Sequence, residues 1–118
     1  MNAVRTFTGY RTIKELRRDY PDENFILKIP KSYEYDGATY PRLNWLKFLI
    51  LSIAPLLDRT DAVIIHDYLY KHMGFDVFTR KQVDKEIFYN ELKRYYSKEI
   101  SWLLSRAVYL FSKILWST

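Results

Sequence analysis

His66 and Asp67 follow four apolar residues, Ala62-Val63-Ile64-Ile65, and Tyr70 stands four residues beyond the histidine. Helical spacing places His66 and Tyr70 on one face and turns Asp67 about a quarter turn away. So apolar a stretch predicts burial on more than one side. A histidine and an aspartate set there are costly unless they are paired or bind an ion. If residues 60–73 and 79–95 form an antiparallel helix pair turning near Phe75, Asp84 faces His66. A carboxylate opposite a histidine selects its tautomer and stabilises the imidazolium, which leaves the second ring nitrogen to take a proton from water. Asp67, displaced around the helix, is placed to hold a hard cation. A base, its orienter and a cation-binding carboxylate make a minimal hydrolytic centre that lacks only the donors for an oxyanion. The same residues also suit a polar network that pins two helices together without chemistry, with Asp67 paired to a base such as Arg42 or Lys71.

The elements that must position these residues change in kind along the chain. Residues 3–8, 12–19 and 25–29 read as strands, although Ile13, Leu16 and Arg17 would also suit a short helix. Tyr20-Pro21-Asp22-Glu23-Asn24 predicts the turn between the second and third, Pro30 ends the third, and 31–41 reads as a loop. From residue 42 the period becomes helical: Leu43, Leu46, Leu49, Ile50 and Ile53 recur before Pro55 stops the segment. Asp58 or Thr60 can cap the next helix, which Gly74 closes. Thr79 with Gln82 makes a capping box for a helix to about Tyr95, and Ser97 caps a last one. The last helix is expected to bury Trp102, Leu103, Ala107, Leu110, Phe111 and Ile114. The fold class is α+β, a small N-terminal antiparallel sheet followed by about four helices, and the 118 residues form one domain on length alone.

Composition narrows the chemistry. No cysteine is present, which excludes disulfides, thiolate metal sites and a cysteine nucleophile. Three glycines are too few for phosphate-loop or dinucleotide fingerprints. His72 is six residues from His66, off its helical face, and reads as a charge favouring a helix C-terminus rather than a zinc ligand. The net charge of +5 suits an anionic partner, but the basic residues are scattered among acids, so nucleic acid is not favoured. Trp45, Trp102 and Trp116 beside Lys47, Arg106 and Lys113 read first as core aromatics with snorkelling neighbours, and second as a surface for anionic phospholipid membranes. No signal peptide or convincing transmembrane stretch is evident.

Two resemblances rest on these residues. Ala62–Tyr70 with Val83-Asp84-Lys85-Glu86-Ile87-Phe88 resembles the active-site helix pair of phospholipase A2 enzymes, most of all the cysteine-free parvoviral capsid form. That likeness implies ester hydrolysis in which His66 activates water, Asp67 ligates calcium, and Tyr70 and Asp84 hold His66. Asp36-Gly37-Ala38-Thr39-Tyr40-Pro41, followed by a His-Asp-x-Leu-Tyr segment and by Val83–Phe88 where the family carries Ala-Asp-x-x-Phe, resembles an uncharacterised family of small phage and prophage proteins over about residues 25–112. This second likeness implies a phage or prophage origin and leaves the activity open, a catalytically silent accessory or host-factor-binding protein included. The phospholipase glycine-rich calcium loop has no counterpart here. Asp36 and Gly37 stand in its place as the candidate further calcium ligands, a side-chain oxygen and a carbonyl.

Overall fold

Alternation of apolar and polar residues sets the first hairpin in the computed structural model, which describes residues 2–7, 9–35, 52, 56–73 and 77–116. Strands β1 (Ala3–Arg5), β2 (Tyr10–Thr12), β3 (Leu16–Tyr20), β4 (Phe25–Ile29) and β5 (Glu34–Tyr35) come first. β3 and β4 pair antiparallel from Leu16 opposite Ile29 to Tyr20 opposite Phe25. Leu16, Leu27 and Ile29 point into the core, while Ile26 faces out. The connection is a 3-10 turn, Pro21–Glu23, closed by Asn24 in the left-handed region at φ 50°. The remaining strands make a second antiparallel sheet in the order β1-β2-β5. Thr12 joins the two sheets, because its buried hydroxyl donates to the Pro30 carbonyl and accepts from the Tyr33 amide.

Three expectations for this region need correction. The strand expected over 3–8 ends at Arg5, since the Thr6 amide donates to the Gly9 carbonyl and closes a tight turn. The segment expected as one strand over 12–19 is divided: Thr12 ends β2 in the three-stranded sheet, and Leu16 begins β3 in the hairpin. The loop expected over 31–41 contains β5, whose Tyr35 pairs with Tyr10. The helix expected over 42–54 lies outside the described residues, apart from Ser52.

Helix α1 (Asp61–Tyr68) starts where Thr60 accepts a hydrogen bond from the Val63 amide, which selects Thr60 over Asp58 as the cap. Ala62, Val63, Ile64 and Ile65 are all buried, as so apolar a run requires. The helix then widens into a π-helical segment, Leu69–Met73. The facing helix begins at the capping box, where the Thr79 amide donates to Gln82 Oε1 and the Gln82 amide to Thr79 Oγ1. It passes through a second π-helical segment, Gln82–Ile87, before α2 (Phe88–Leu92), and so ends short of the expected Tyr95. Ser97 caps α3 (Lys98–Trp116) by accepting from the Ile100 amide.

Arg18 of β3 ties sheet to helices. Its guanidinium reaches Asp61 at the start of α1 (2.9 Å) and Glu91 of α2 (3.1 Å), and all three side chains are largely withdrawn from water. Burial disfavours the charge on Arg18, but the hydrogen bonds and charges of Glu91 and Asp61 outweigh it and raise its pKa.

α3 departs from the expected packing at Trp102, Leu103 and Leu110; Ala107 is half-buried, and the side chains of Phe111 and Ile114 lie outside the described residues. Ser101, Leu104 and Ser105 are buried, whereas Trp102, Leu103 and Leu110 are about half exposed. The helix lies against the second π-helical segment and α2, with Ile100 and Val108 partly buried against the core beside Leu104.

Candidate functional site

Asp84 is fully buried within the second π-helical segment, and a carboxylate there needs donors. It has them in two side chains of the facing helix. His66 Nε2 lies 2.6 Å from Asp84 Oδ1, and the Tyr70 hydroxyl donates to the same carboxylate at 2.7 Å. The placement of Asp84 opposite His66 therefore agrees with the antiparallel arrangement expected from the turn. A carboxylate can only accept, so Nε2 carries the proton and Nδ1 of neutral His66 presents a lone pair. Among the described residues nothing hydrogen-bonds Nδ1, and the side chain keeps 15% of its surface exposed. The ring is clamped between Tyr70, stacked at 4.4 Å between centroids, and Phe88 at 5.0 Å. One nitrogen is fixed, the ring plane is held, and the other nitrogen remains available to a proton from water.

Asp67 occupies the adjacent side of α1, nearly buried. Tyr33, from the turn before β5, donates its hydroxyl to Oδ2 at 2.5 Å, and the Lys71 ammonium stands 3.2 Å from Oδ1. Tyr33 also meets Tyr68 and His72 edge-on. Sequence reasoning named Lys71 as a possible partner through its four-residue spacing but missed Tyr33, which is 34 residues from Asp67 and carries no local signal. His72, expected to serve a helix C-terminus, lies in this aromatic group beside Tyr68 as well.

The test of calcium is the donor set. Calcium takes six to eight oxygens, typically about 2.3–2.6 Å away. The described residues offer Asp67 alone, with one oxygen engaged by a phenol and the other by an ammonium. Asp36, Gly37 and Arg42 lie outside the described residues, and among those described no group of three His, Asp or Glu side chains comes together as metal ligands. Among the described residues the set is therefore incomplete for calcium, and Lys71 holds the charge position that an ion would take.

A separate cleft of about 190 Å³ lies between the β3–β4 turn and the second π-helical segment, lined by Tyr20, Asp22, Glu23, Phe78 and Glu86 among others. It contains none of His66, Asp67, Tyr70 or Asp84, and the constellation rather than the cleft is the candidate site. The Tyr20 hydroxyl is buried without a partner among the described residues, and burial, reinforced by the charge of Glu91, pushes its pKa up to about 12.

Residues 11–108 match a family described as protein of unknown function (DUF1353). No curated protein and no solved structure matches the chain.

Proposed function

We propose, for a chain that belongs to the DUF1353 family of proteins of unknown function, a hydrolase of carboxylic esters that resembles a phospholipase A2 and is of phage or prophage origin. The observation that carries this reading is the buried Asp84 carboxylate, which binds His66 Nε2 and the Tyr70 hydroxyl at once. His66 is the general base: Nδ1 removes a proton from water as the oxygen attacks the ester carbonyl carbon. Asp84 stabilises the imidazolium so formed, and the same proton passes to the leaving alkoxide as the carbon–oxygen bond breaks. Tyr70 keeps the carboxylate oriented. The two π-helical segments support the reading, since such local widenings gather at functional sites and here carry Tyr70 and Asp84.

Asp67 is the proposed anchor for calcium, which when bound would polarise the ester carbonyl. Because its oxygens are engaged, occupancy requires Lys71, whose side chain is 45% exposed, to swing away.

The test is fatty-acid release from phospholipid vesicles by the wild type and by Asp84→Asn, each with and without calcium. Release by the wild type is expected, with a loss of roughly 10³–10⁴-fold in kcat in the variant. Absence of release from the wild type under both conditions overturns the reading and leaves His66, Tyr70 and Asp84 as a network that pins two helices.

A further inference from the structure

Helix α3 leaves several large apolar residues on a side turned away from the core. Trp102, Leu103 and Leu110 share a face of α3 about 100° wide and are 52%, 52% and 56% exposed. The opposite face, Ser101, Leu104 and Ser105, is buried. Small buried side chains such as Ser101 and Ser105 suit close packing of α3 against its neighbours. Ser105 satisfies its hydroxyl on the Trp102 carbonyl, whereas the buried Ser101 hydroxyl has no partner among the described residues. The core-facing side thus mixes Ile100, Leu104 and Val108 with two small serines, while Trp102, Leu103 and Leu110 remain about half exposed.

We propose that this outward face of α3 is a docking surface for anionic membranes. The occupant follows from charge. Arg106 lies in the middle of the face with its guanidinium 5.5 Å from the Trp102 ring, and Lys98 is exposed on the first turn. At the edge, Lys85 and Arg80 stand 4.3 and 5.8 Å from the Tyr109 ring. Within α3 the single acid, Glu99, stands beside Lys98 and Arg106. A second copy seated on the same face would set Arg106 against Arg106 and one chain of charge +5 against another. An anionic lipid surface supplies an apolar layer for Trp102, Leu103 and Leu110 and counter-charge for the cations around them. Tryptophan with a stacked arginine suits that boundary, ring below and guanidinium at the headgroups. Among the described residues no helix is long and apolar enough to cross a membrane, so α3 lies on the surface.

The inference does not rest on the hydrolase reading and is tested by partition rather than turnover. The full chain is sedimented with vesicles of pure phosphatidylcholine or of phosphatidylcholine containing phosphatidylglycerol, at low and at high salt. Binding is expected to the anionic vesicles and to fall as salt rises. Arg106→Glu should weaken it about 30-fold, as expected for reversing one charge near the surface. The double variant Leu103→Ser with Leu110→Ser should weaken it roughly tenfold or more. Leu103 and Leu110 are exposed and Arg106 is half-buried, and circular dichroism melts equal to the wild type establish that the fold is retained in both variants. Absence of binding to anionic vesicles, or binding that neither variant changes, overturns the proposal. So does a dimer in analytical ultracentrifugation that the leucine variant dissociates, which would make a second copy the occupant.

Discussion

Asp84 holds two donors from one helix, and its substitution separates chemistry from architecture. Asp84→Asn keeps the shape and one acceptor oxygen but removes the charge that stabilises a protonated His66. The expected cost in stability is about 1–3 kcal/mol, as for a buried polar group left imperfectly paired, against a loss of activity of orders of magnitude. Urea unfolding beside the vesicle assay measures both. Asp67 asks a different question, because its partners compete with any ion. Calorimetric titration with calcium should give binding heat in the wild type, none in Asp67→Asn, and tighter binding in Lys71→Ala, where the competing ammonium is gone. No heat in the wild type or in Lys71→Ala would remove calcium from the reading, and ester hydrolysis surviving without it would require another stabiliser for the oxyanion.

At the scale of elements, the helix pair is held by packing at Phe88 as well as by polar contacts at Asp84. Phe88 is fully buried and touches the His66 ring. Phe88→Ala should therefore destabilise by about 3–5 kcal/mol, more than Asp84→Asn, as read from the urea midpoint. If Asp84→Asn unfolds the protein as readily, the polar network is mainly a structural clasp. The π-helical segments matter here because each inserts an extra residue into a turn and shifts the faces beyond it. Tyr70 and Asp84 lie within these segments, so their meeting depends on where the helices widen.

The molecule as a whole is joined across its two halves by Arg18, Asp61 and Glu91, and Tyr20 lies beside this junction. Its hydroxyl is buried and unpaired among the described residues, and its pKa is raised from 10.0 to about 12 by burial first and the charge of Glu91 second. The folded state therefore retains this proton more tightly than the unfolded chain. The associated stability is fully present below pH 10 and is lost as pH rises through about 12. Tyr20→Phe should be no less stable at neutral pH, since no hydrogen bond is removed, and should lose less stability than the wild type between about pH 9 and 11. Denaturant midpoints of both proteins across that window check the sign. A steeper loss in Tyr20→Phe would contradict it.

What the sequence determined alone is local. The capping box at Thr79 and Gln82, the cap at Ser97 and the turn at Pro21–Asn24 are interactions between near neighbours, and each stands where spacing placed it, whereas the structure chose Thr60 between two candidate caps. The His66–Asp84 contact was also accessible, because an antiparallel helix pair about one short turn relates residues by simple register. Tertiary structure decided the rest. Tyr33 reaches Asp67 only because the turn before β5 is laid over α1, and no periodicity connects residues 34 apart. The division of the segment 12–19 between two sheets depends on which strands pair, which alternation within one strand cannot reveal. The face of α3 was misjudged for a related reason. So apolar a helix offers more than one hydrophobic side, and the fold buried the one with Ile100, Leu104 and Val108 while leaving Trp102, Leu103 and Leu110 about half exposed.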